Sequence, residues 1–339
     1  MRFITTTGVY GSGSSAITDL IREYSNVEQP TGTDFELLFF FGYHGIENLR
    51  YWIVDGKNQQ HAAIHDFLSA AGRVASLGHK MNYEKYFQGH FMEATRKYVR
   101  QISGTKCGER YYVDLMRLSD IQLLLYRLVN KLHSIPNVIY SKTHSDVRQS
   151  NTRLFSKKES VYLYDITEEE FINETKKYIN YLFGNISRNK KIIMLEALTS
   201  THNLDDISMY FDDLRIVIVR RDPRDVYVSV KYIWKTENIP CDPKDFCTWF
   251  TQKWKSFSYK KSIVKEILFE ELIFNYTKTI SELEMFLNLS EENHIEKQKY
   301  FKPNVSINNC RLWKKYPQEA DNIRLIEKSL PEWLYPFPD

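Results

Sequence analysis

The sequence is poor in the features that would tie it to metals, disulfides, membranes or nucleic acids. Its 339 residues include only 4 cysteines, Cys107, Cys241, Cys247 and Cys310. They form no C-x-x-C pair and have no histidine at zinc-ligand spacing, so neither a structural metal nor a disulfide framework is indicated. Reduced thiols suit a cytoplasmic protein. Net charge is also scarce: 46 Lys plus Arg stand against 43 Asp plus Glu, or +3 overall, too balanced for a general nucleic-acid or membrane-surface binder. Any anionic ligand must therefore be held by local charge. No apolar run reaches membrane-spanning length. The start, Met1-Arg2-Phe3-Ile4-Thr5, runs into a strand-like segment without the layout of a secretory signal. The N-x-S/T triplets at Asn173, Asn185, Asn275, Asn288 and Asn304 accordingly read as products of an Asn-rich composition, not as glycosylation sites. No Pro/Gly/Ser linker, low-complexity stretch or internal repeat divides the chain.

What the chain has is apolar and aromatic surface, 42% hydrophobic with 14% aromatic, ample for one large core. Arg2 to Thr7 is β-leaning and is followed, after a loop, by Ala16, Ile17, Leu20 and Ile21 at helical spacing. Glu36 to Phe41 is a continuous apolar run that predicts a buried parallel strand. Helical periodicity then dominates around Ile64 to Ala71, Phe91 to Ile102 and Ile121 to Leu132, the last with Ile121, Leu124, Leu125, Leu128 and Leu132. Thr167 with Glu170 predicts a capping box for a helix burying Phe171, Ile172, Tyr178, Ile179 and Leu182. Strand signals return at Ile192 to Leu195, Ile216 to Val219 and Ile267 to Phe269. Helices are expected between the first two, after Pro223, and around Ile280, Leu283, Phe286 and Leu287. The alternation predicts an α/β fold: a P-loop-type parallel sheet flanked by helices, in a single domain spanning 1–339 with a mainly helical, acceptor-side insertion at about 55–185.

Glycine is infrequent, 13 in all, so the cluster Gly8-Val9-Tyr10-Gly11-Ser12-Gly13-Ser14-Ser15 between strand and helix stands out. Glycines there let successive backbone N–H groups turn inward as an anion nest, and the serines add hydroxyl donors. Gly8 to Gly13 fits G-x-x-x-x-G, but Ser14 stands where nucleoside-triphosphate enzymes need lysine, which argues against ATP or GTP hydrolysis.

After the strand Arg215 to Arg220 comes Arg221-Asp222-Pro223-Arg224-Asp225-Val226-Tyr227-Val228-Ser229. This R-x-P-R-D-x-x-x-S segment resembles the 3′-phosphate-binding element of sulfotransferases that use 3′-phosphoadenosine 5′-phosphosulfate (PAPS), and the amino-terminal loop resembles their 5′-phosphosulfate loop. Ile267-Leu268-Phe269-Glu270-Glu271-Leu272, leading to Phe286-Leu287-Asn288-Leu289, and Arg311-Leu312-Trp313-Lys314 are similar to two further stretches of that family. The pattern as a whole is closest to bacterial members acting on carbohydrate or capsule-type acceptors.

The resemblance implies a PAPS-dependent enzyme that needs no metal. Tyr10, Gly11, Ser12, Gly13, Ser14 and Ser15 would hold the phosphosulfate, Arg221 and Ser229 the 3′-phosphate, and Arg311, Trp313 and Lys314 would close over the nucleotide. The acceptor would be the hydroxyl of a glycan or small molecule. Gly11 replaces the lysine that the family uses at the bridging oxygen, and Ala16 replaces an aromatic; Lys142, Arg311 and Lys314 are candidate substitutes for the missing cation. For the base, Lys142-Thr143-His144 looks like the family's K-T-H element but lies far too early in the chain. Glu196, at a strand end in the expected place, is the positional candidate beside His144, with His202 third. A P-loop small-molecule kinase using Asp222 on magnesium, or a catalytically idle nucleotide-binding protein, are the alternatives.

Overall fold

The computed structural model describes residues 1–29, 39–55, 60–76, 78, 82–103, 105–109, 118–143, 159–163, 166–187, 190–196, 198, 204–235, 238–255, 259 and 262–338. The chain opens with β1 (Arg2–Gly8), α1 (Ser15–Ile21) and a two-residue β2 (Val27–Glu28). Helices α2 (Gln60–Ala75) and α3 (Phe91–Ile102) follow, then β3 (Thr105–Glu109), the long α4 (Asp120–Thr143), β4 (Glu159–Leu163) and α5 (Glu168–Ile186). The second half supplies β5 (Ile192–Glu196), β6 (Asp213–Arg220), α6 (Pro223–Val228), β7 (Val264–Leu268), α7 (Tyr276–Leu287) and α8 (Ala320–Ser329).

The main sheet has the order β2-β5-β1-β6-β7 and is parallel throughout. Alternation along its strands feeds two separate apolar layers. Phe3, Ile193, Leu195, Ile216 and Ile218 point into one cluster, while Ile4, Met194, Val217, Val219 and Ile267 point into the other. Both faces are covered by helices, which is why β5 and the centre of β6 are continuous apolar runs rather than half-polar ones. A parallel sheet brings the carboxyl ends of its strands to one edge, and β1 is the strand from which the chain leaves in one direction and returns in the other. The loop after Gly8, the turn after Arg220 and the end of β5 at Glu196 therefore share that edge. The register sets Thr6 beside Glu196 and Gly8 beside Val219.

The sequence expectations of strand, loop and helix at the amino terminus, and of strands near 192, 216 and 267, match this architecture. The capping box forms as expected: Glu170 N donates to Thr167 Oγ1 (3.2 Å), and Thr167 N donates to Glu170 Oε2 (2.9 Å). One expectation fails. Of the strand expected over Glu36 to Phe41, residues 36–38 lie outside the described residues, and Phe39 to Phe41 are in turns. Their rings fill a pocket among helices: Phe39 packs against Phe67 (5.3 Å) and Phe91 (5.5 Å), and Phe40 against Phe183 (5.8 Å). An apolar run can be buried by plugging helices as well as by pairing in a sheet. The antiparallel pair β3–β4, with Thr105 opposite Leu163, was not foreseen within the helical stretch. Helix α4 forms where expected, but with its apolar stripe in solvent. No helix among the described residues is long and apolar enough to cross a membrane.

The carboxy-terminal third is fastened to α1 by one buried carboxylate. Glu23, fully buried, accepts from Tyr300 N and Phe301 N on Oε1 and from Gln298 N on Oε2, all at 2.9 Å. Its Oε2 also lies 2.8 Å from His294 Nε2. A carboxylate that terminates three orphan amides cannot be removed without stranding them. Glu23→Leu is expected to cost roughly 3 kcal/mol or more of unfolding free energy; urea denaturation measures it, and a loss below about 1 kcal/mol would contradict this account.

Candidate functional site

The loop after β1 is shaped by two glycines in the left-handed region, Gly11 (φ +87°) and Gly13 (φ +86°). Gly13 also has no room for a side chain: a Cβ there would stand 2.7 Å from the Phe269 ring. Ser12 N closes a turn on Val9 O (3.0 Å), and Ala16 N and Ile17 N begin α1 on Gly13 O and Ser14 O. Alternation of right- and left-handed residues turns consecutive N–H groups to one side, the geometry of an anion nest. Ser14 is helical and makes no side-chain cap, and Ser15 is exposed at the first position of α1. Ser12 is 1% exposed, yet its Oγ has no hydrogen-bond partner.

Three arginines follow β6, and the fold separates them. Arg220 turns to Glu266 (2.6 Å) and the Trp333 ring. Arg224 is held by both oxygens of Asp222, by Glu327 (2.8 Å) and over Trp313 at 3.9 Å. Arg221 alone runs beneath the loop. It is 6% exposed; Nη1 donates to Gly11 O (3.1 Å), Nη2 donates to Asn309 O (2.6 Å), and the guanidinium lies over Phe269. Its Nε has no partner. Two buried donors, one hydroxyl and one cationic N–H, are thus left unpaired around the same loop. Buried polar groups are normally satisfied, and such exceptions mark places where a ligand completes the set.

Acids surround this cation. Asp225 accepts from the backbone amides of Arg311 (3.0 Å) and Leu312 (2.5 Å), and Glu270 accepts from Asp222 N (2.9 Å). Asp222 accepts from Tyr335 N (3.0 Å) as well as from Arg224. Burial pushes the Asp225 carboxyl up to about 7 and that of Glu270 up to about 8, in both cases against the opposing pull of Arg221.

The other residues singled out from the sequence are distributed unevenly. Ser229 is buried (3% exposed) where α6 passes into a π-helical turn, Ser229–Trp234. Tyr10 is half exposed and meets Trp234 edge-on at 4.9 Å. Glu196 is on the loop's edge of the sheet, at the end of β5. Arg311 brings its backbone to Asp225, but its guanidinium turns away to Pro338 O and the Phe337 ring. Trp313 clamps Arg224, and Lys314 is exposed. His144 and His202 lie outside the described residues, as does the Lys142 side chain. Sequence reading missed Asn309, because it acts through a backbone carbonyl that any residue could supply. It also missed Glu270 as a partner of the Asp222 amide, although Glu270-Glu271-Leu272 belongs to one of the stretches that carry the resemblance.

A cleft of about 920 Å³, lined by Met1, Arg2, Asn26, Lys190, Lys191 and Asp213 among others, opens at the opposite, amino edge of the sheet. Arg2 is already paired with Asp213 (2.6 Å) and Lys190 with Glu28 (3.4 Å), so it offers few free charges.

Protonation of Asp225 and Glu270 removes negative charge beside Arg221. Sulfate, whose own charge is constant over this range, should bind several-fold more tightly at pH 6 than at pH 9; calorimetric titration at both pH values measures it, and equal affinity would detach these acids from the site. Both acids hold protons more tightly folded than unfolded, so the same burial costs stability increasingly as pH rises from about 4 to about 8.

No family model and no curated protein sequence matches this chain. Among solved structures, the chain is similar to the sulfotransferase domain of a Synechococcus olefin synthase, with 13% identity and a TM-score of 0.41 over 100% of this chain and 95% of that one. It is also similar to a sulfotransferase of Mycobacterium tuberculosis, with 12% identity and a TM-score of 0.35 over 91% and 76% respectively.

Proposed function

We propose that the chain is a single sulfotransferase-like domain that moves a sulfuryl group from PAPS to the hydroxyl of a glycan or related small molecule. The observation that carries this reading is the pair of buried, unpartnered donors, Ser12 Oγ and Arg221 Nε, at a glycine-shaped loop. Together with the loop amides they suit a tetrahedral oxyanion, and the R-x-P-R-D-x-x-x-S segment supplies the second anion's partner in Ser229. Free thiols at Cys241, Cys247 and Cys310 suit a reducing compartment such as the cytoplasm.

In the transfer, the bond from sulfur to the leaving phosphate oxygen breaks as the bond from the acceptor oxygen to sulfur forms, and the hydroxyl proton passes to a base. Glu196, on the loop's edge of the sheet, takes that proton in this reading. The leaving phosphate needs a cation, and Gly11 offers none. A lysine in this loop would be strained: residue 11 has positive φ, and a Cβ there would stand 3.2 Å from a Val226 methyl, which would have to shift. Arg221, 3.1 Å from the Gly11 carbonyl, is a cation at that gap and serves it in this reading.

The kinase alternative asks Asp222 to hold magnesium. Asp222 is fully buried, with Oδ1 and Oδ2 both engaged by Arg224 and Oδ2 also by Tyr335 N, which leaves little for a metal. Calorimetric titration with adenosine 3′,5′-bisphosphate beside Mg-ATP tests the reading directly. The bisphosphate should bind and Mg-ATP should not, and the reverse result would overturn it. Arg221→Ala should weaken bisphosphate binding by about 2 kcal/mol or more; an unchanged affinity would mean that the phosphate lies elsewhere.

A further inference from the structure

Helix α4 leaves its apolar stripe in solvent. On a wheel of about 100° per residue, Ile121, Leu124, Leu125, Leu128, Leu132 and Ile135 fall within one arc. All six are exposed, Ile121 with 73% and Leu132 with 67% of their surface in solvent. The opposite side carries Leu123, Tyr126, Val129 and Asn130, all partly covered, with Arg127 exposed among them, and Asn130 Nδ2 donates to Tyr126 O (2.9 Å). An amphipathic surface helix ordinarily spends its apolar stripe on its own core. A contiguous stripe of this length left facing water marks an interaction surface.

The spacing of the stripe says what covers it. Ile121, Leu124, Leu128, Leu132 and Ile135 are separated by three, four, four and three residues, so the pattern reads the same from either end. Laid antiparallel to a copy of itself with a twofold axis at Leu128, the helix sets Ile121 against the partner's Ile135, Leu124 against the partner's Leu132 and Leu128 against the partner's Leu128. Self-complementarity of this kind is the requirement for an isologous contact. The charges at the margin do not oppose it. Lys131 falls opposite the partner's Leu125, where its aliphatic stem covers the leucine while its ammonium stays in water, and a net charge of +3 per chain is a weak repulsion. A helix lying on a membrane surface would instead carry aromatic anchors in its stripe; this stripe is made of isoleucine and leucine alone.

We propose that two copies of this chain pair through antiparallel α4 helices about an axis at Leu128. The proposal rests on the helix alone and is independent of the chemistry at the phosphate loop. A single helix pair is a small interface, so association is expected in the micromolar range. Sedimentation equilibrium of the full chain should show a concentration-dependent monomer–dimer equilibrium. Leu128→Asp, which sets two carboxylates against each other on the axis, should weaken it roughly 100-fold or more while leaving the far-ultraviolet spectrum and melting temperature of the exposed site essentially unchanged. Geometry is tested by oxidation in a Cys241→Ser background. Leu128→Cys should cross-link to itself, Ile121→Cys alone should not, and a mixture of Ile121→Cys with Ile135→Cys should give the heterodimer. A wild-type monomer at 100 µM overturns the proposal, as does self-cross-linking of Ile121→Cys, which would mean parallel helices. Binding to anionic vesicles without self-association would assign the stripe to a membrane and overturn it too.

Discussion

The arrangement of the candidate site turns on one buried guanidinium. Arg221 has lost its water, and what replaces that water are the carbonyls of Gly11 and Asn309 and the face of Phe269. A buried cation with only neutral acceptors is costly unless negative charge stands nearby. Asp225 and Glu270, each held by backbone amides from other segments, carry that charge only as pH rises through about 7 and about 8. The hydrogen bonds of Arg221 and Asp225 draw three distant parts of the chain together: the loop after β1, the turn after β6 and the segment from Asn309 to Leu312. An incoming oxyanion would complete a charge distribution already half built, with its donors fixed before it arrives.

Much of this was legible in the residues because the physics is local. Continuous apolar runs at 192–195 and 216–219 come from burial on both sheet faces, and a glycine cluster between strand and helix has few other uses. The capping box at Thr167 and Glu170 is equally self-contained. What could not be read depends on direction or on backbone. Arg220, Arg221 and Arg224 are chemically identical in a string, and only the fold sends one to the loop, one to Glu266 and one to Trp313. Asn309 contributes a carbonyl, which leaves no trace in residue identity. Phe39 to Phe41 is apolar enough for a strand but serves as a plug among rings. Periodicity located α4 correctly but carries no information about which side faces inward.

Trp313 shows the same limit from another angle. A tryptophan in an R-x-W-K stretch invites a stacking role toward a nucleotide base, yet its ring is occupied by Arg224 at 3.9 Å and by Phe337 at 5.2 Å. Its work here is to hold Arg224, and through it Asp222, in place. Any contribution to the proposed anion binding is then indirect, through rigidity at the start of α6.

The fastening of the chain's last residues has a consequence for how the protein is made. Glu23 waits for 298–301, Arg221 for Asn309, Asp225 for Arg311 and Leu312, and Asp222 for Tyr335. Glu23 and Tyr300 are separated by 277 residues and the other pairs by 86 to 113, so the loop-closure entropy is met late and little rewards it earlier. During vectorial synthesis the sheet strands up to β7 can pair while the final 40 or so residues, roughly counted, are still within or just leaving the ribosome. The proposed anion site is therefore among the last parts of the molecule to form, and a nascent chain carries the glycine loop and Arg221 before the segment that completes their setting.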